Sequence, residues 1–221
     1  MGCENWEGNM MLYELRTYTT PAGKAPLLAK YSGEIARPIR GDEYGKLEGY
    51  WITEIGPLNK VMHLWSYDSF AHRDERRAAL GQNPRWKDEY LSKVLPLILR
   101  QDIRLMTAVL PPNAPQNEGN VYEYRYYRCK TGKAAEFAKH ITEAMPVREK
   151  HSKNIALFVS VAGQPNEVSH IWAYDSLNHR AEARAAAAAD PDWQAFLAKG
   201  GPLLEEMDNL IMLPTPASPL K

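Results

Sequence analysis

Apolar and polar positions alternate with a period of two from Met11 to Thr19, then shift to a helical spacing over Pro21–Ile39. Alternation returns through Gly45–Ile55 and Lys60–Tyr67, on either side of the turn Gly56–Asn59, and helical spacing resumes over Ser69–Leu80. Asn83 followed by Pro84 reads as an N-cap and first helical residue, predicting a further short helix to about Leu99 and a last strand over Asp102–Val109. The order strand, helix, hairpin, helix, strand is βαββαβ, the split motif of ferredoxin-like folds. The same order follows downstream. It comprises a strand Asn120–Cys129, a helix Gly132–Lys150, hairpin strands Ala156–Ala162 and Glu167–Tyr174, a helix from Ser176, and a last strand near Leu210–Leu213. The run Ala185–Ala189 favours helix, and Asp190 with Pro191 starts another.

The residues repeat along with the pattern. HLWSYDSFAHR (His63–Arg73) returns as HIWAYDSLNHR (His170–Arg180), with seven of eleven positions identical. YELR (Tyr13–Arg16) returns as YEYR (Tyr122–Arg125), NPRW (Asn83–Trp86) as DPDW (Asp190–Trp193), and the pair Gly23–Lys24 as Gly132–Lys133. The chain is therefore a tandem duplication of a unit the size of a small domain, too long for a solenoid repeat. The copies are expected at residues 10–110 and 120–214, joined by PPNAPQNEG (residues 111–119), which suits neither a helix nor a central strand. PTPASP near the C-terminus reads as a loose tail.

Side chains two apart on a strand share a face, so Glu14, Arg16 and Tyr18 lie together, as do His63, Trp65 and Tyr67. Met62 and Leu64 suit a face that receives helices, which sends His63, Trp65 and Tyr67 to the other. Two such sheets can bury these faces against each other and close into an α+β barrel, each half one repeat. Its interior is then expected to collect Glu14, Arg16, Tyr18, His63, Trp65 and Tyr67 with Glu123, Arg125, Tyr127, His170, Trp172 and Tyr174. Each glutamate has an arginine two residues away to pair with. The repetition equally suits a purely structural role, with ion pairs fixing register and aromatics forming a core. His72 and His179 lie in the first turn of a helix, where Asp68 or Ser69, and Asp175 or Ser176, read as N-caps, so this repeat reads as capping.

Composition narrows the function classes. Among 221 residues, 27 basic side chains balance 27 acidic ones with no basic run, which argues against nucleic acid and anionic membranes as partners. Cys3 and Cys129 occupy non-equivalent positions and have no ligand spacing, so neither a disulfide framework nor a metal site is expected, and a reducing compartment is. No apolar run is long enough for a membrane span, and the acidic start MGCENWEGNMM does not resemble a signal or transit peptide, which makes the cytoplasm the expected location. Trp6 stands where a myristoylation signal needs Ser or Thr. Phosphate loops, dinucleotide fingerprints, nucleophile elbows and HExxH are absent, which leaves hydrolase, kinase and dehydrogenase readings without support. Arg73, Arg76, Arg77, Arg180 and Arg184, interleaved with Asp74, Glu75 and Glu182, read as a solvated helix face or an oligomer contact.

ELRTY (Glu14–Tyr18), GYWITEIGPLN (Gly49–Asn59), HLWSYDSFAHRDERRAAL (His63–Leu80) and the NPRW element together resemble the NIPSNAP family in its two-repeat form, over about Met11 to Leu213. The resemblance implies the dimeric α+β-barrel fold and an association with mitochondria, vesicle traffic and protein partners; it supplies no catalytic residues. The second copy departs from the first in its opening strand (YEYRYY for YELRTY) and at its hairpin (GQPN for GPLN), so asymmetric pockets are expected.

Three functions fit these observations. One is a non-catalytic module that binds a small hydrophobic or aromatic molecule, or a protein, with no cofactor and with self-association into a homo-oligomer. Another is a cofactor-independent monooxygenase or isomerase in the barrel interior, with His63 or His170 as base and Tyr, Trp and Arg orienting an enolate. The third is haem binding through His63 or His170 as axial ligand. Fold-level analogy with barrel enzymes and haem proteins does not decide among them.

Overall fold

The first strand, β1 (Leu12–Thr19), is buried on both faces over most of its length, so it must carry protein on each side. The computed structural model, which describes residues 11–221, shows what covers it. After β1 a continuous helix runs through α1 (Ala25–Tyr31), a π-helical turn at Ser32–Ala36, and α2 (Arg37–Arg40). The hairpin β2 (Lys46–Ile55) and β3 (Lys60–Tyr67) leads to α3 (Phe70–Gln82). A second π-helical turn (Trp86–Leu91) continues into α4 (Ser92–Val94), and β4 (Arg100–Leu110) completes the repeat. The second repeat has β5 (Val121–Cys129), α5 (Ala134–Arg148), β6 (Lys153–Ala162), β7 (Glu167–Tyr174), α6 (Leu177–Ala189), α7 (Pro191–Gly200) and β8 (Leu204–Pro214). Its last strand begins earlier than expected. Glu205, Glu206, Asp208 and Asn209 look unlike strand residues, yet they lie in the β5–β8 ladder segment where Tyr127 pairs with Met207.

The strands run β4-β1-β3-β2 in one repeat and β8-β5-β7-β6 in the other, and β2–β8 and β4–β6 pairing closes one eight-stranded barrel. This is the expected α+β barrel made of two ferredoxin-like halves. Matching contacts lock each half. The hairpin residues Asn59 and Asn166 adopt positive φ, at 57° and 58°. Their side chains accept hydrogen bonds from Gly23 N and Gly132 N at 3.0 Å, tying each hairpin to the entry of the helix after the first strand. Ser69 and Ser176 cap α3 and α6 by accepting from His72 N and His179 N at 3.0 Å. The histidines return the favour by accepting from Asp68 N and Asp175 N, so the SerXaaXaaHis repeat is a capping device, as read.

The faces are the reverse of those expected. The barrel interior holds Tyr13, Leu15, Trp51, Met62, Leu64, Met106, Tyr122, Tyr124, Phe158, Ile171 and Met212, drawn from both repeats. Trp65 and Tyr67 instead pack with Leu28, Ala29 and Val94 of the first helical layer, and Trp172 and Tyr174 with Phe137 and Ile141 of the second. An eight-stranded barrel is just wide enough to be filled by its own side chains, which favours the apolar set inside. The Glu–Arg pairs sit outside it, where helices can supply further partners. The inward face still carries charge, since Arg104 meets Glu167 at 2.7 and 3.1 Å. The C-terminal segment is not loose: Thr215, Ser218 and Leu220 are buried, Leu220 within the barrel core, and Ser218 Oγ accepts from Tyr50 N at 3.0 Å. Cys129 is a free buried thiol whose pKa burial pushes up to about 11, which leaves it inert; Cys3 lies outside the described residues.

Gly49 sits at the irregularity in the β2–β3 ladder, under the ring of Trp51, which a Cβ would meet at 1.9 Å. Because Trp51 is fully buried in the barrel, it cannot swing away. Gly49→Ala is expected to cost about 1–3 kcal/mol by overpacking, read as a lowered urea midpoint with an unchanged slope.

Candidate functional site

Strand register builds the site. In the β1–β3 ladder Arg16 lies opposite His63 and Glu14 opposite Trp65; in β5–β7 Arg125 lies opposite His170 and Glu123 opposite Trp172. Helices then close over this outward face. Glu14, with no exposed surface, takes Arg16 Nη1 at 2.6 Å, Arg77 Nη1 at 3.4 Å and Arg73 Nε, the last two projecting one turn apart from α3. Glu123 takes Arg125 at 2.6 Å, Arg180 at 2.7 Å and Asn209 Nδ2 at 2.7 Å, and Tyr174 Oη donates to it at 3.2 Å. Burial alone would raise both carboxyl pKa values, but the surrounding guanidiniums outweigh it and hold Glu14 below its ordinary range and Glu123 at about 2. The arginines of α3 and α6 were expected on a solvated face or an oligomer contact. Arg73, Arg77 and Arg180 turn inward because an uncompensated buried carboxylate is too costly to leave, whereas Arg76 stays outside with Glu75.

His63 and His170 are almost fully buried, and each accepts a hydrogen bond at Nδ1 from the indole Nε1 of the tryptophan two residues on. Burial first, and then the neighbouring Arg16 or Arg125, depresses their pKa values, His63 well below its ordinary value and His170 to about 3. The neutral ring with Nδ1 as acceptor carries its proton on Nε2. Each histidine is therefore a donor toward its surroundings. In this tautomer each histidine presents an N–H rather than a lone pair to the groups around it.

Between the first helical layer and the sheet lies a cavity of about 250 Å³ lined by Arg16, Tyr18, Ser32, Arg40, Tyr50, His63, Trp65, Arg77, Trp86 and Tyr90, among others. Tyr50 stacks on His63, with ring centroids 5.1 Å apart and 8° between planes. Ser32 Oγ donates its one proton to Leu28 O at 2.9 Å and so accepts from both Tyr50 at 2.7 Å and Tyr90 at 2.9 Å. Burial raises both phenol pKa values, Tyr90 to about 12, and both stay neutral. Arg40 is 5% exposed. It lies 3.4 Å above the Trp65 ring and donates through Nη2 to Tyr44 O and Tyr67 Oη, while its Nε has no partner among the described residues. The second repeat has a matching cavity of about 230 Å³, lined by Arg125, Tyr127, Arg148, His170, Trp172 and Arg184.

The twelve residues singled out in the sequence do not meet in one chamber. Arg16, Tyr18, His63 and Trp65 line one cavity and Arg125, Tyr127, His170 and Trp172 the other. Glu14, Tyr67, Glu123 and Tyr174 stand behind the cavity walls and hold their arginines. Arg40, Arg73, Arg77, Arg148, Arg180 and Arg184 were missed as site residues. The signal was present for α3 and α6, since arginines four apart follow the duplicated motif in both copies. No group of three or more His, Cys, Asp and Glu among the described residues forms a metal site, and no described helix is long and apolar enough to cross a membrane.

Two outcomes follow from these buried groups. Glu14→Gln strands guanidiniums in a buried cluster and is expected to lower stability by about 3–5 kcal/mol in urea unfolding. Acid should also destabilise the fold. Below about pH 6.5 the unfolded chain protonates its histidines while native His170 stays neutral down to about 3, so stability falls as pH drops. By about pH 5 the loss from His170 is about 2 kcal/mol, with His63 adding to it, before the Glu123 contribution is lost between about 4.5 and 2. Urea midpoints at neutral pH and near pH 5 measure this.

The comparisons with known proteins agree with this architecture. The NIPSNAP profile matches residues 13–111 and again 122–219. The chain is 33% identical to human Protein NipSnap homolog 3A over 184 residues, covering 80% of this chain and 74% of that one. It is 30% identical to the Dictyostelium discoideum Protein NipSnap homolog over 210 residues, covering 92% and 87%. A Lactobacillus acidophilus protein described as a candidate monooxygenase shares the fold, with a TM-score of 0.67 at 13% identity over 95% of this chain and 98% of that one. With the profile matched twice, in the two halves of one barrel, the chain belongs to the NIPSNAP family.

Proposed function

We propose that this protein is a small-molecule-binding module whose principal ligand sits in the first-repeat cavity, between helices and sheet, with the barrel itself as scaffold. The observation that carries this reading is the convergence of Arg16, Tyr18, His63 and Trp65 on one partly enclosed space of about 250 Å³, while the middle of the barrel is packed with its own side chains and a separate space of about 340 Å³ opens near Thr17, Arg104 and Tyr126. Arg125, Tyr127, His170 and Trp172 form a second, related pocket under the same proposal. The two units at 10–110 and 120–214 with their connector belong to it too. So does a cytoplasmic location, to be checked by fractionation. Both halves of the barrel lie in one chain, so the scaffold does not depend on a second copy; self-association is tested by sedimentation. A catalytic use of the same cavity would have His63 Nε2–H stabilising a developing enolate oxygen as a donor.

Gly81 lines the cavity from α3, and a Cβ there meets nothing within 4 Å. Gly81→Trp should fill the space without a backbone clash. Native mass spectrometry of the protein from its own source, before and after this substitution, is the test. A retained compound lost at least tenfold in Gly81→Trp, at an unchanged melting midpoint, supports the reading; retention unaffected by the plug places the ligand elsewhere.

A further inference from the structure

Three polar groups around the first cavity, on Tyr18, His63 and Arg40, present hydrogens, whereas Tyr50 and Tyr90 spend theirs on Ser32. Tyr18 Oη accepts from Arg16 Nε at 2.7 Å, which leaves its O–H free to donate. His63 carries its proton on Nε2, because Nδ1 accepts from Trp65. Arg40 is buried at the cavity wall with an unpartnered Nε, its other contacts being a carbonyl, a phenol and the face of Trp65. The nearby fixed charge is unbalanced. Arg16, Arg73 and Arg77 share one buried carboxylate, Glu14, and Arg40 touches none; the other acid contacts, Asp74 on Arg73 and Asp42 on the wall residue Arg37, are 72% and 55% exposed. A buried guanidinium without a carboxylate is costly unless something anionic arrives.

Aromatic and aliphatic side chains complete the wall, including Trp86, Leu91 and Ile98. A cavity of about 150 Å³ already admits benzene, so this larger space has room for one or two rings. The second repeat lacks the same arrangement. There Arg148 is held by Ser152 Oγ as well as Tyr174, and Leu157 stands opposite His170 where Tyr50 stands opposite His63.

We infer that the first-repeat pocket, and not its counterpart, is the binding site for one small aromatic anion, a carboxylate or phenolate whose charge rests on Arg40 and whose ring lies against the apolar wall. This rests on the pocket reading above and adds the charge class, the anchor and the stoichiometry. The test is isothermal titration of the full chain with 1-naphthoate and with the uncharged 1-naphthalenemethanol. The expected result is one naphthoate per chain, bound at least tenfold tighter than the alcohol. Arg40→Met should remove that preference while changing alcohol binding less than threefold. If Arg40→Met does not fold, the preference and stoichiometry of the unmodified protein decide alone. Equal affinity for the two compounds, with both lost in Gly81→Trp, overturns the anion class and leaves the pocket reading standing. Two naphthoates per chain, or an equal loss in Arg148→Met, overturns the assignment to one repeat. Binding of neither compound at millimolar concentration removes both readings.

Discussion

Much of this structure depends on two carboxylates with no access to water. Glu14 and Glu123 each sit at the middle of a first strand and each gather guanidiniums from the strand itself and from the helix after the hairpin. A lone buried charge of this kind would be prohibitive, and a single partner would leave lone pairs unsatisfied. Only the helix-bearing side of the sheet can supply the additional donors. The carboxylates thereby fix which face looks outward, where α3 and α6 must lie, and how far they stand from the strands.

The cavities follow from that spacing. Guanidinium groups are long and flat, and helices resting on them cannot collapse onto the sheet as they would onto leucines. The space that remains is walled by tryptophan faces and by the donors around them. The histidines belong to the same framework. Each is clamped by an indole N–H into one tautomer and meets a tyrosine edge to face, so its chemistry is set by its neighbours more than by solution pH.

Reading the sequence recovered the architecture, because duplication made every periodic signal appear twice and because caps such as Ser69 and Ser176 announce themselves. It also gathered the right strand residues into sets. It failed on which set faced inward, since Met62 and Leu64 are no more apolar than Val61 and Trp65, and a period of two identifies faces without saying which is covered by helices. Arg40 and Arg148 were illegible for a different reason. They lie at the far ends of long helices and reach Trp65 and Trp172 only through tertiary packing. Thr215 to Leu220 looked like a tail because proline-rich segments lack regular structure, but irregular backbone can still be buried where side chains such as Ser218 meet a strand edge.

The two π-helical turns carry a record of how the repeats diverged. From Ala25 to Pro38 the first copy counts thirteen steps, whereas the matching interval from Ala134 to Pro146 counts twelve; Trp86 to Pro96 spans ten, and Trp193 to Pro202 nine. A π turn holds one residue more than an α turn, so each accommodates the extra residue of the first copy as a local swelling without shifting the flanking residues out of register. Both swellings border the same cavity and supply Ser32 and Tyr90 to it. In a barrel built from two separate identical chains, any such insertion would reshape both pockets at once. Joined in one polypeptide, the two halves are free of that symmetry: the first carries the swollen turns and the second an uninterrupted helix.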